Sequence, residues 1–304
     1  MEESNYIWMN GKMVPWKKST SHFLSHATHY GSAVFEGIRC YNTPKGPAVF
    51  RLEEHIERMF RSAEIFGMTI PFTKKEIISA THNVISRNNL KECYIRPLAY
   101  YGYGGLGFDV TNQKVDVGVA AWKWGAMLGA ESLTKGIRLK TSPFRRPSSE
   151  YMPVNAKVSG NYANSIMAKM DAIKSGYDDA VMLDREGFIA ECSAENFFIV
   201  DKSELVTPTK ENCLDGITRK SVITLARAAG ITVREMLVSP EMVKSAEECF
   251  ICGTAAEIVP VTSIDGAPIK HGKRGRITEK IQKDYSDAIH GKNKKYEDWL
   301  SYVK

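Results

Sequence analysis

The chain has 304 residues, 43% hydrophobic and 25% charged, with a formal net charge of +6. This length suffices for two domains or one large α/β unit with a sizeable core, and the composition excludes a disordered or fibrous chain. No apolar run approaches the roughly 18–20 residues of a membrane helix, and the basic residues crowd at Lys270–Arg276 and Lys292–Lys295, as a solvated face rather than a nucleic-acid surface.

The start, Met1-Glu2-Glu3-Ser4, lacks the basic-then-apolar order of a secretory signal. With six cysteines this points to a reducing, cytoplasmic compartment. Ile7–Val14 predicts a β-hairpin, because two apolar runs flank Asn10-Gly11, a pair that tolerates the positive φ angles of a type I′ turn. His22, His26 and His29 follow at helical spacing, but no nearby Asp, Glu or Cys completes a metal site, and none is expected. Tyr30 to Tyr41 mixes aromatics with glycines and turns into a strand. Glu53–Phe66 reads as a helix with Ile56, Met59, Phe60 and Ala63 on one face. Arg58 lies off that stripe, and solvation is its default explanation. A second helix spans Lys74–Asn88.

Cys93–Tyr101 reads as a strand with Tyr94 and Arg96 on one face. Gly102–Gly107 matches the G-x-G-x-x-G spacing, but a dinucleotide site needs a helix to open there, and Val115–Trp122 is a strand instead. The glycines at 125–136 mark a domain boundary. Strands are expected at 137–141, 180–183, 188–192, 196–200 and 248–252. Ala163, Ile166, Met170 and Ile173 form a helical stripe, Gly216-Ile217-Thr218 opens another helix, Ser239-Pro240 a third, and Ile277, Ile281, Tyr285 and Ile289 mark the last. Cys249-Phe250-Ile251-Cys252 has redox spacing, but its apolar centre reads as a buried strand.

Chemistry gathers around Pro153–Tyr162, where Lys157 stands among small uncharged neighbours just before a helix. A surface lysine is the bland reading. A desolvated lysine amine, however, can hold an aldehyde as a Schiff base. The helix start at Gly216–Thr218 and the turn Gly253-Thr254-Ala255 can present backbone N–H groups to an anion. Glu191, in mid-strand among apolar residues, requires a cationic or hydrogen-bonding partner. An imine-forming lysine, a phosphate cradle and a buried carboxylate are the parts of a pyridoxal-phosphate site.

Over nearly its whole length the chain resembles the branched-chain amino-acid aminotransferases of the class IV (fold-type-IV) pyridoxal-phosphate family. The resemblance rests on His29-Tyr30-Gly31, Phe35-Glu36-Gly37-Ile38-Arg39, Tyr94-Ile95-Arg96-Pro97, Ala156-Lys157 with Gly160-Asn161-Tyr162, Glu191 with Glu195-Asn196, Gly216-Ile217-Thr218-Arg219, and Gly253-Thr254-Ala255-Ala256-Glu257. It implies a mixed α+β and α/β fold of two domains with the cofactor between them: 1–124 small, 125–135 interdomain loop, 136–304 large and cofactor-binding. The implied reaction is reversible transfer of the amino group of L-leucine, L-isoleucine or L-valine to 2-oxoglutarate through pyridoxal 5'-phosphate.

The resemblance also implies roles. Lys157 would hold the cofactor aldehyde and shuttle the substrate Cα proton. Glu191 would pair with the ring nitrogen, and Tyr162 would lie near the phenolic oxygen. Arg58, Ile217, Thr218 and Thr254 would hold the phosphate. Tyr94 with the Thr254-Ala255 backbone would take the substrate carboxylate. Tyr30, Phe35, Gly37, Arg39 and Trp124 would border the substrate, with Arg96 seating the distal carboxylate of glutamate. The loop carrying Phe108 would reach a neighbouring subunit, in a homo-oligomer that is a dimer or hexamer. Met127 and Phe108 depart from residues found in some relatives, and the C-x-x-C precedes the Gly253 turn, so no redox switch is carried over. A D-amino-acid aminotransferase or an aminodeoxychorismate lyase would keep Lys157 and Glu191 too, whereas retention of both residues argues against a non-enzymatic pyridoxal-phosphate carrier. The Tyr94–Arg96 pair with Phe35-Glu36-Gly37 favours the branched-chain type.

Overall fold

The computed structural model describes residues 2–125, 129 and 131–303, so Met127 lies outside the described residues. The chain divides into two units. The first comprises Met1–Trp124, Ala156–Gly160 and Ala288–Lys304, and the second Gly125–Asn155 and Asn161–Asp287. Two segments expected in the C-terminal domain therefore belong with the first unit. The reason is pairing: Val158 bridges Val34, and the C-terminal strand Leu300–Tyr302 lies antiparallel to Gly46–Phe50.

The first unit is built on β1 (Tyr6–Met9), β2 (Lys12–Pro15), β3 (Ala33–Phe35), β4 (Ile38–Thr43), β5 (Gly46–Phe50), β6 (Cys93–Tyr101), β7 (Val115–Trp122) and the C-terminal strand. Among the described residues these make one sheet in the order C-terminal strand, β5, β4, β6, β7, β1, β2, with β3 also on β6. Asn10 and Gly11 both have positive φ, as the type I′ hairpin requires. Helices α1 (His26–Tyr30), α2 (Leu52–Ile65) and α3 (Lys74–Arg87) complete the unit. Thr73 and Glu76 close a capping box on α3, a device worth about 1 kcal/mol. Ile56 and Met59 of α2 and Ile77, Val84 and Ile85 of α3 meet Cys93, Ile95, Val117 and Val119 in the core. Each such side chain contributes about 1.5–3 kcal/mol. Because a strand alternates faces, Tyr94, Arg96, Leu98 and Tyr100 lie on the opposite face of β6.

The second unit contains α4 (Ser132–Lys135), β8 (Ile137–Thr141), α5 (Tyr162–Lys174), β9 (Asp179–Leu183), β10 (Ile189–Cys192), β11 (Asn196–Asp201), β12 (Glu204–Thr207), α6 (Ile217–Ala228), β13 (Val233–Glu235), α7 (Pro240–Ser245), β14 (Glu248–Gly253), β15 (Glu257–Ile264) and β16 (Ala267–Pro268). Its mixed sheet runs β10, β9, β8, β15, β14, β11, β12, β13, with β16 on β15. The parallel contacts are β8 with β9 and β15, and β12 with β13. The last helix, α8 (Arg276–Ile289), buries Ile281, Tyr285 and Ile289.

The stripe expected on α5 is a correction. Ile166, Met170 and Ile173 are 62%, 45% and 48% exposed, whereas Ser165, Ala168 and Ala172 are buried. Small side chains let α5 seat closely on Ala180 and Met182 of β9. Periodicity identified an apolar stripe on this helix, but not which stripe meets the sheet. No helix among the described residues is long and apolar enough to cross a membrane.

Candidate active site

Lys157 sits on the edge of β3. Its backbone N–H donates to Ser62 Oγ of α2 at 3.0 Å, its carbonyl accepts from Phe35 N at 3.2 Å, and Gly160 N donates to Gly31 O at 3.0 Å. These bonds hold the main chain, while the half-buried side chain carries Nζ to 4.9 Å above the Phe35 ring.

Arg58 is not the solvated residue its place off the stripe suggested, since it is 4% exposed. Its Nε and Nη2 donate to the two oxygens of Glu36 at 2.6 and 2.8 Å. His55 Nδ1 lies 2.8 Å from Glu36 Oε2. Burial alone would raise the Glu36 pKa, yet Arg58 and His55 hold it well below the usual carboxylate range. Burial pushes His55 down against the pull of Glu36. An ionised carboxylate only accepts, so Nδ1 carries the donated proton. Neither Glu36 nor His55 was assigned a role from sequence. An acid beside Gly37 in an apolar stretch was the available signal.

On the open face of β6, Arg96 Nη2 donates to Tyr94 Oη at 3.0 Å, which leaves the phenolic proton for another acceptor. The guanidinium lies 4.7 Å from the Phe35 ring centroid and 5.3 Å from that of Tyr94. Its buried Nε has no hydrogen-bond partner, and no acid pairs with Arg96 among the described residues. Gly37 is required here, because a Cβ would fall 2.0 Å from Tyr94 Oη. Trp124 stands edge-on to Tyr94 at 4.5 Å. Tyr30 donates to Leu106 O at 3.1 Å and packs 5.2 Å from Phe108, which is 83% exposed. Arg39 is turned elsewhere: Nη2 pairs with Glu92 at 3.1 Å, and the guanidinium stacks on Tyr41. The glycine-rich loop joins β6 directly to β7 without a helix. His26 spends its ring nitrogens on Ser32 and Gly107, and no cluster able to hold a metal occurs among the described residues.

In the second unit, Glu191 points from β10 with its side chain 4% exposed. Its Oε2 accepts from Leu214 N at 3.2 Å and from Asn196 Nδ2 at 3.5 Å. Arg146 Nε lies 2.6 Å from Glu191 Oε1. Neither of those two atoms makes an aligned hydrogen bond, so the contact is one of charge and a lone pair on Oε1 is unspent. Arg146 is the cation that a buried Glu191 demanded, but nothing in Arg145-Arg146-Pro147 singled it out beforehand. Ile217 and Thr218, both buried, form the first turn of α6, with Gly216 as N-cap. A side chain at 216 would strike Asn196 Oδ1, at 1.9 Å from its Cβ. Tyr162, half-buried, is the first residue of α5. Thr254 and Ala255 form the half-buried turn from β14 to β15.

That turn rests on a buried acid: a Cβ at Gly253 would lie 3.4 Å from Glu195 Cγ. Burial, then Asp179, pushes Glu195 up to about 8, with Lys169 opposing. The folded pKa exceeds the ordinary 4.5. The stability this group contributes is therefore present below that value and lost as pH rises through about 8. Urea unfolding across this window should show stability falling with pH, by a few kcal/mol at most, and Glu195→Gln should flatten the slope. An unchanged slope in the variant would assign the titration to another group. Cys249 and Cys252 lie on opposite faces of β14, and burial pushes both thiols up, which suits core residues rather than a redox pair.

Residues 33–264 match the model of the class IV aminotransferase family. The chain belongs to the class IV aminotransferases. It is 44% identical to the branched-chain-amino-acid aminotransferase of Pseudomonas aeruginosa over 303 residues, covering 100% of this chain and 99% of that one. The Escherichia coli enzyme of the same name, 41% identical, has a crystal structure that matches with a TM-score of 0.97 over 99% of this chain and 100% of its own. The class IV fold is also shared with a T.th. branched-chain amino acid aminotransferase in complex with N-(5'-phosphopyridoxyl)-L-glutamate, at 43% identity, a TM-score of 0.96 and full coverage of both chains. As a class IV aminotransferase, the chain uses pyridoxal 5'-phosphate. Its own residues fit that group: the unspent lone pair of the buried Glu191 Oε1 is an acceptor suited to a protonated ring nitrogen.

Proposed function

We propose that this chain is a branched-chain amino-acid aminotransferase, moving the amino group of L-leucine, L-isoleucine or L-valine reversibly to 2-oxoglutarate. The carrying observation is Arg96, a cation between two aromatic rings with a buried, unspent Nε. In this reading Phe35, Tyr94 and Trp124 border an aliphatic side chain, and Arg96 takes the distal carboxylate of glutamate, which apolar neighbours alone would reject.

When bound, pyridoxal phosphate supplies an aldehyde that condenses with amines and a ring that accepts the electron pair released at the substrate Cα. Lys157 Nζ would hold the aldehyde and move the substrate Cα proton. Glu191 Oε1 would accept the ring N–H, and Tyr162 would lie near the phenolic oxygen. The N–H groups of Ile217 and Thr218 with Thr254 would hold the phosphate, and the resemblance gives Arg58 a part in this too. Tyr94 Oη and the Thr254-Ala255 backbone would take the substrate carboxylate. Arg39 is left out of this pocket because its guanidinium serves Glu92 and Tyr41.

A panel of L- and D-amino acids with 2-oxoglutarate as acceptor tests the reading. Turnover should concentrate on L-leucine, L-isoleucine and L-valine. Preference for D-amino acids, or release of pyruvate and 4-aminobenzoate from 4-amino-4-deoxychorismate, would move the chain to a neighbouring activity. Arg96→Met should slow the half-reaction with glutamate at least about tenfold more than that with leucine, because one charge-assisted contact is worth about 1.5–3 kcal/mol. Equal loss in both, with a lowered melting temperature, would make Arg96 structural.

The enzyme is a homo-oligomer in this reading, with the loop of Phe108 reaching the neighbouring subunit. The exposed stripe Ile166, Met170 and Ile173 supports assembly, since apolar helix faces of this kind cover one another between subunits. Met170→Glu should lower the mass measured by light scattering; an unchanged mass would place the interface elsewhere. The six free, buried cysteines suit a cytoplasmic setting.

A further inference from the structure

We propose that Arg146 is a positioning residue that decides where the proton between Glu191 and the cofactor ring nitrogen resides, an inference that rests on the role given to Glu191 above. Arg146 is anchored at three points. Its backbone N–H donates to Leu183 O at 2.8 Å, its Nη1 donates to Ser165 Oγ at 3.1 Å, and its Nε stands 2.6 Å from Glu191 Oε1. Both side chains are nearly sealed from water, at 6% and 4% exposure. A carboxylate buried this deeply is costly unless a cation is paired with it.

The geometry separates charge from hydrogen bonding. Nε is close to Oε1 but its N–H is not directed at that oxygen, and both atoms lack a hydrogen-bond partner. Arg146 therefore stabilises the negative charge on Glu191 without consuming the acceptor position that a ring N–H needs. Glu191 Oε2 is held separately by Leu214 N and Asn196. The carboxylate plane is set by one oxygen, and the other is left to receive a donor.

A buried acid and a pyridine nitrogen can share a proton in two ways, as a neutral O–H···N pair or as a carboxylate with a pyridinium. A cation in contact with the carboxylate favours the second. Its attraction to the adjacent oxygen exceeds its repulsion of the more distant ring, because Coulomb energy falls with separation. Only the pyridinium form draws electrons strongly from the substrate Cα. Arg146 thus acts on the reaction through Glu191 and touches neither substrate nor ring in this assignment.

The test uses holoenzyme carrying pyridoxal phosphate labelled with 15N at the ring nitrogen, whose chemical shift reports protonation. In the wild type the nitrogen should be protonated. In Arg146→Met the shift should move toward the unprotonated value, and the leucine half-reaction should slow about 10- to 100-fold, the range for loss of a group that orients a functional ligand. Arg146→Lys, which retains the charge, should recover part of both. Ser165→Ala, which removes only the Nη1 tether, should move the shift in the same direction by less, and it serves as the deciding variant if Arg146→Met does not fold. A wild-type shift in folded Arg146→Met, or in Ser165→Ala when that is the deciding variant, overturns the proposal, even if the melting temperature falls. An unprotonated nitrogen in the wild type would instead overturn the role of Glu191 itself.

Discussion

Lys157→Ala is expected to abolish turnover while leaving a folded protein. The bonds that hold this segment run through the main chain, from Lys157 N to Ser62 Oγ and from Phe35 N to the Lys157 carbonyl, and alanine keeps both. Ala156 and Val158 remain buried on either side. What is lost is Nζ, the amine proposed to hold the cofactor aldehyde and carry the Cα proton, and no neighbour can replace a covalent amine. Loss of a group that makes and breaks bonds costs several orders of magnitude in rate. Circular dichroism and a thermal melt should show the native fold, and leucine should release no 2-oxoacid above background. Borohydride reduction of the wild type followed by peptide mapping should place the pyridoxyl label on Lys157. A label on another lysine would sink the assignment.

Glu191→Gln should slow the leucine half-reaction about 10²- to 10³-fold, the equivalent of roughly 3–4 kcal/mol of lost electrostatic stabilisation. An amide has no charge to oppose the ring N–H, so the electron pair released at Cα is less well accepted. Cofactor affinity should change much less, because the phosphate contacts and Lys157 are untouched. The structure adds a second consequence that the strand position alone did not suggest. Glu191 is the counter-charge of the buried Arg146, and removing one member of a buried pair destabilises by about 3–5 kcal/mol. The melting temperature should fall together with the rate. Stopped-flow absorbance of the half-reaction, run beside a melt, measures both. Near-normal rates with a lowered melt would reduce Glu191 to a structural acid.

The residues proposed to do the chemistry stand out in the sequence because their demands are local. A lysine among small neighbours, glycine and threonine at a helix start, and a carboxylate inside an apolar strand each violate the ordinary pattern of their element, and such violations mark functional sites. The helices α2, α3 and α8 were equally legible, since an apolar stripe with a terminal cap or glycine is written within one turn of the chain. The alternation of β6, which sends Tyr94 and Arg96 to one face and Ile95 to the core, follows from strand geometry alone.

Only the tertiary structure decided which charges meet. Arg58 pairs with Glu36, Arg146 with Glu191, and Arg39 with Glu92. Each pair joins residues far apart in the chain, and nothing in either local sequence records the other partner. The same holds for α5. Two stripes compete on that helix, and the small one wins the sheet because Ser165, Ala168 and Ala172 permit close approach, leaving the larger apolar residues outside. It holds too for the segment Ala156–Gly160 and the C-terminal strand, which return to the first unit through backbone pairing with Val34 and β5. Backbone pairing carries no residue-specific signal at such short edges, so their place could be read only from the folded chain.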